Sequence, residues 1–222
     1  MKVLALDTST EYCSIALLHG ETLSREVLAE QRHSELILPM VKQALEETGL
    51  TLAKLDGIAF GAGPGSFTGL RIACGVAQGL AFGAGLPVLG ICTLEALAQE
   101  AGGDKVITAI DARMSEIYHA AYMKTKEGWK TLSEPALCLP AHAPVLAGTC
   151  WTGCGSGFDR YEQALRIRYN GSVSRVVYGL RPHARAIVQL AAPRFTQGLG
   201  IDPADAAPLY IRNKVALKEK ER

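Results

Sequence analysis

The chain has 222 residues, 48% of them hydrophobic and 20% charged, with a formal net charge of +1. That length suits one large domain or two of about 100 residues, each able to bury a core. The near-neutral balance argues against a protein held on DNA or RNA mainly by charge, and the absence of an uninterrupted apolar run of about 18 residues predicts no membrane span.

Lys2 to Asp7 and Cys13 to Leu18 are apolar stretches of strand length, and the alternation from Thr22 to Glu30 predicts a third strand of an antiparallel meander. Between the first two stands Asp7-Thr8-Ser9. An acidic residue at a strand end followed by hydroxyls can grip a metal-bound nucleotide, or it can simply close an Asx-type turn. From Ser34 the period becomes helical: Leu36, Ile37, Met40, Val41, Ala44, Leu45 and Thr48 share a face broad enough to be offered to a partner. Gly49 provides the stop, and Pro39 either bends this helix or begins it.

Asp56 to Phe60 reads as a buried strand running into Gly61, Gly63, Pro64 and Gly65, where the chain turns sharply. Ser66 or Thr68 can cap the helix that follows from about Gly69. Free amides there could attract an anion, with Gly63, Gly65, Ser66 and Thr68 as its loop, or the glycines could merely permit the turn. No Lys stands where a Walker loop needs one, and the glycine spacing is not the dinucleotide fingerprint. In the helix, Gly75, Gly79 and Gly83 recur every four residues beside Ala73, Ala77 and Ala81. Each helical Gly costs about 1 kcal/mol against Ala, so close approach is the expected return, either to the chain's own sheet or to another helix.

Leu86 to Ile91 is a further strand, and Thr93 is expected to cap a helix from Leu94 to Ala101. Gly102-Gly103-Asp104 marks a boundary, after which Val106–Ile110, Glu116–Met123 and a strand beyond the Thr125–Gly128 hairpin repeat the meander. Val145–Cys150 is expected as a strand, Gly153–Gly157 as a second glycine loop, Phe158–Leu165 as a short helix, and Pro182–Phe195 as a longer one with Pro182 in its first turn. The implied division is a lobe at 1–102, a smaller related lobe at 103–206, and a terminal segment at 207–222. In that last segment Ala207–Arg212 is strand-like and Lys214–Arg222 is a charged tail. Arg160, Arg166, Arg168, Arg175, Arg181, Arg185 and Arg194 share their span with one acid, Glu162, which makes them a solvated surface or a phosphate-contacting face. The six cysteines read as core thiols of a reducing cytosol. His33 has Ile37 one turn on, where a two-histidine metal site would need its second ligand.

Five stretches then stand together: Leu6 to Thr10, Arg32 to Glu35, Gly63 to Arg71, Asp111 to Met114 with Glu116 to Tyr118, and Pro208 to Arg212. In this order and at these separations they resemble, over the whole chain, the TsaB (YeaZ) family of bacterial tRNA threonylcarbamoyladenosine biosynthesis. The resemblance implies an α/β fold of the actin/Hsp70/sugar-kinase (ASKHA) type, with two related lobes, the second abbreviated. It implies a cytoplasmic, non-catalytic scaffold that pairs with a TsaD-like transferase, is assisted by a TsaE-like ATPase, meets tRNA through the complex, and forms a homodimer when alone. No cofactor is expected on this chain, because ATP or ADP and metal belong to the partners. Asp7, Thr8 and Ser9 become an inherited phosphate turn. The partner contact is expected at His33, Leu36, Ile37, Met40, Arg71, Gly75, Val76, Gly79, Leu80 and Gly83. The competing reading is an enzyme, either a small ATP-dependent phosphotransferase using Asp7 and the Gly63–Thr68 loop, or a metallopeptidase.

Overall fold

A strand covered on both faces has no need to alternate, and the first two strands are buried along almost their whole length. The computed structural model describes residues 1–212. The first sheet is built from β1 (Lys2–Asp7), β2 (Tyr12–His19), β3 (Glu21–Leu28), β4 (Gly57–Gly63) and β5 (Val88–Cys92), with α1 (His33–Thr48), α2 (Phe67–Ala84) and α3 (Thr93–Ala101) between and after them. The second is built from β6 (Lys105–Asp111), β7 (Ile117–Thr125), β8 (Gly128–Cys138), β9 (Trp151–Cys154) and β10 (Val173–Val177), with α4 (Ser156–Arg160) and α5 (Glu162–Arg168) before its last strand and α6 (Ala184–Thr196) after it.

The strand orders are β3-β2-β1-β4-β5 and β8-β7-β6-β9-β10, so each strand of the second sheet takes the place of its counterpart in the first. The directions agree too: β1 is antiparallel to β2 and parallel to β4, as β6 is to β7 and β9. This is the two-lobed ASKHA arrangement, and the abbreviation lies in the helices. Where the first lobe has α2, of 18 residues, the second has α4 and α5, of 5 and 7.

One face of the first sheet, carrying Leu4, Leu6, Ile15, Leu17, Ile58 and Phe60, is covered by α1 and α2. The other face carries Val3, Ala5, Ala16 and Ala59 and is covered by α6. Ala5 stands opposite both Ala16 and Ala59 in register, so a floor of methyl groups lets Ala184, Ile187 and Ala191 sit close to the sheet. This corrects the expected division, because α6 falls within 103–206 by sequence yet covers one face of the first-lobe sheet. α3 lies at the seam, with Leu94, Leu97 and Ala98 packed on β6 and β7 and Ala96 on the α6 side.

Five local expectations also change. Residues 145–150 form no strand, because Val145 is exposed and Cys150 has φ +64°, which an extended chain cannot take. Cys150 is accordingly an exposed thiol rather than a core one. α1 runs unbroken through Pro39, whose missing donor lies on the exposed side. Thr93 and Pro182 exchange roles with their neighbours: Thr93 is the first residue inside α3, its hydroxyl donating to the Pro64 carbonyl at 2.5 Å, and α6 is capped by His183, whose Nδ1 accepts from the Arg185 N–H at 2.9 Å. The expected tail, Lys214–Arg222, lies outside the described residues.

A fragment of residues 1–102 lacks α6 and leaves one apolar sheet face to water. It is expected to aggregate or to melt without a cooperative transition, as read by circular dichroism. A soluble fragment with a sharp transition would refute the assignment of α6 to the first core.

Candidate functional site

Asp7, Thr8 and Ser9 end β1 beneath the start of α2, and all three are buried. The Ser66 N–H donates to the Ser9 carbonyl at 2.8 Å, and the Thr8 hydroxyl donates to the Gly69 carbonyl at 2.7 Å. A Cβ at Gly69 would strike the Thr8 carbonyl, and one at Gly65 would stand 2.6 Å from the Ser9 carbonyl. The two segments singled out as anion-binding, 7–9 and 63–68, are therefore pressed against each other. The chain's own backbone fills the space between them. Ser66, not Thr68, caps α2, accepting from the Gly69 N–H at 3.3 Å.

Burial pushes the Asp7 carboxyl from 3.8 up to about 7, against the pull of the Ser9 hydroxyl and N–H, which donate to it at 3.0 and 3.3 Å. A folded-state value above the unfolded one means that the stability this carboxyl contributes is complete below about pH 4 and is lost as pH rises through about 7. Asp7→Asn removes the buried charge while keeping the shape. Its denaturation midpoint should exceed the parent's at pH 8, by at most about 4 kcal/mol, with the gap closing toward pH 4. A gap that does not change with pH would contradict the burial argument.

The expected partner-contact residues divide cleanly. Ile37 is fully buried in the first core, and His33 is 8% exposed with its Nε2 2.9 Å from the Thr10 carbonyl, so both face inward and His33 holds α1 to the β1–β2 turn. This corrects their assignment to an outward surface. Leu36, Met40, Val76 and Leu80 are half-buried, and Arg71, Gly75, Gly79 and Gly83 are exposed. The small-residue columns of α2 separate as well: Ala73, Ala77 and Ala81 are fully buried in the first core, whereas a Cβ at Gly75, Gly79 or Gly83 would meet no atom of the described residues within 4 Å. The glycine column is turned away from the rest of the described chain. Phe82, 79% exposed, completes this strip and was not among the expected residues. Its signal was the spacing, since Phe82 falls seven residues after Gly75 and three after Gly79.

The expectation for the arginines resolves on the structure. The arginines from Arg160 to Arg194 are spread over both lobes, and four of them meet acids from distant segments. Arg160 bonds Asp111 at 3.2 Å, Arg181 bonds Glu26 at 2.5 Å, Arg185 bonds Glu100 at 2.6 Å, and Arg194 pairs with Glu95. Arg166 pairs with Glu162 at 2.7 Å, and Arg168 donates to the Ala143 carbonyl at 2.6 Å. They do not form one open basic face. Among the described residues, no cluster of three or more His, Cys, Asp or Glu side chains is placed to hold a metal ion, and no helix is long and apolar enough to cross a membrane.

Because nothing touches Gly79, Gly79→Ala should cost no packing and should stabilise the isolated chain by about 1 kcal/mol through helix propensity. Ala77→Leu, forced against the sheet, should destabilise it by about 1–3 kcal/mol. Urea titration of both checks the orientation of α2, and the reverse order would invert it.

Comparison with known proteins adds the family. Residues 23–149 match the family model described as TsaD, tRNA N6-adenosine threonylcarbamoyltransferase. The TsaB proteins of Haemophilus influenzae and Escherichia coli are each 38% identical, with 99% of this chain aligned to 97% and 98% of theirs. A solved structure of YeaZ from Pseudomonas aeruginosa is 40% identical, with a TM-score of 0.87 over 94% of this chain and 99% of that one. Another, from the same organism, is described as an uncharacterized protein with similarity to peptidase YEAZ and gives a TM-score of 0.88 at 40% identity over 95% and 99%. With one fold, nearly equal length and end-to-end similarity, the chain belongs to the TsaD-type family and, within it, to the TsaB proteins of tRNA threonylcarbamoyladenosine biosynthesis.

Proposed function

We propose that this chain is a non-catalytic subunit that docks a TsaD-type transferase through the outward strip of α1 and α2, in a cytoplasmic assembly that also engages a TsaE-type ATPase. The observation that carries this reading is the open glycine column. Three glycines in one helix forgo about 1 kcal/mol each and receive no contact from the described residues in return. A flat strip bordered by Phe82, Leu80, Val76, Met40 and Leu36 suits a second helix pair at close interaxial distance. The same strip serves a homodimer of the isolated chain, in competition with the partner. The filled turn at Asp7–Ser9 supports the non-catalytic part, because a phosphotransferase would need that space. ATP or ADP and metal then belong to the partner subunits, and tRNA reaches this chain only within the assembly.

Gly79→Arg places bulk and charge on the strip without disturbing the monomer core. Mixed with a TsaD-type protein and separated by size, the parent should co-elute and Gly79→Arg should not, with unchanged circular dichroism. A folded variant that still co-elutes would move the interface elsewhere. The purified chain alone should modify no tRNA and hydrolyse no ATP above background; turnover lost in Asp7→Ala would overturn the non-catalytic reading.

A further inference from the structure

The Pro208–Arg212 motif takes part in neither the turn at Asp7 nor the open strip, and it is not the strand its composition suggests. It runs instead as a strap from one lobe to the other. At its first-lobe end the Leu209 N–H donates to the Ala62 carbonyl at 2.7 Å, and the Leu209 carbonyl lies so close over Gly63 that a Cβ there would stand 2.8 Å from it. Next, Tyr210 meets the first turn of α2. Its ring lies 5.5 Å from that of Phe67, its hydroxyl accepts from Arg71 Nε at 2.9 Å, and the Arg71 guanidinium sits 3.7 Å over the Phe67 ring.

At the second-lobe end, Arg212 reaches the turn between β6 and β7. It donates to the Ala112 carbonyl at 3.0 Å and to Glu116 at 2.6 Å, and its side chain is only 13% exposed. That turn carries three successive residues in the left-handed region, Arg113, Met114 and Ser115, at φ +64°, +52° and +60°. None is glycine, so the conformation persists only where surrounding contacts hold it. Arg212 supplies such contacts on both sides of it, at Ala112 and at Glu116. Three of the five motifs that carry the family resemblance thus meet in one junction: Gly63–Arg71, Asp111–Tyr118 and Pro208–Arg212.

We propose that Leu209–Arg212 is an interlobe strap whose latch, Arg212, is a positioning residue through which the second lobe sets the first turn of α2. That this turn in turn orients a docking face rests on the reading given above; the strap itself does not.

Hydrogen exchange on the full chain tests it. In Arg212→Ala, the amides of Glu116 and Leu209 should exchange about tenfold faster, and so should that of Leu70, whose N–H closes the first turn of α2 on the Ser66 carbonyl. Amides of α6 such as Val188 should be unchanged. Arg212→Lys, which keeps the charge, should recover part of the protection at Leu70. Should Arg212→Ala fail to fold, Glu116→Gln must give the same pattern at smaller amplitude. Faster exchange at Glu116 with an unchanged Leu70 would reduce Arg212 to a local staple and overturn the proposal, as would no change at any of the three. All of this is read on the isolated chain, so failure of the TsaD-type protein to co-elute with the parent would refute the docking reading and leave the strap untouched.

Discussion

The contact between the end of β1 and the start of α2 is the constraint on which the rest of the molecule depends. The Thr8 hydroxyl and the Ser9 carbonyl are both used by the backbone of residues 66–69, so the first turn of α2 has one possible origin. That origin decides the rotation of the helix. With Gly69 pressed on Thr8, the column Ala73, Ala77, Ala81 must follow onto the sheet, and the column Gly75, Gly79, Gly83 must face away. The same contact shuts Asp7 from water with no cation beside it, which is why its carboxyl favours the protonated form.

The two lobes share a topology but not a fate. Asp7 and Asp111 end equivalent strands, yet Asp111 is only partly buried and accepts from the Arg113 N–H at 3.0 Å, the Tyr161 hydroxyl at 3.0 Å and Arg160 at 3.2 Å. The start of α4 also lies on the end of β6, where the Ser156 hydroxyl accepts from the Asp111 N–H at 3.0 Å and a Cβ at Gly157 would stand 2.7 Å from that of Ala109. The difference lies in the neighbours, since Asp111 has the guanidinium of Arg160 beside it and Asp7 is buried against Ser9. The first lobe is also the better covered, because α6 returns to it and seals its second face. The chain is therefore not two units in series, and its second lobe is enclosed between segments that belong to the first.

The five motifs of the family form a connected set of contacts. His33 bonds Thr10, Thr8 and Ser9 bond the start of α2, Arg71 bonds Tyr210, and Arg212 bonds Glu116. A path of hydrogen bonds thus runs from the start of α1, across the start of α2, to the second lobe. The motifs fix two helices relative to the lobes that carry them.

Most of both sheets was legible in the sequence because the signals are local. Apolar runs of strand length, the hairpin at Thr125–Gly128 and the repeated meander place β1 to β8 close to where they lie, whereas β9 and β10, at Trp151–Cys154 and Val173–Val177, were not expected there, and the stretches that carry the family resemblance are contiguous segments. Val145–Cys150 misled because apolar composition cannot reveal a left-handed residue at Cys150. What the local signals could not hold was any decision that needs two distant segments. Gly and Ala columns are equally small, and only the contact of Thr8 with Gly69 determines which one meets the sheet. The arginines look unopposed within their own span because Glu26, Glu95 and Glu100 lie far away in the chain. α6 reads as part of the second lobe until the methyl floor of Ala5, Ala16 and Ala59 is seen to receive it. Composition and period report the surroundings of one residue along its own element, whereas which face is covered, and by what, is settled by burial of apolar area between elements that the sequence holds far apart.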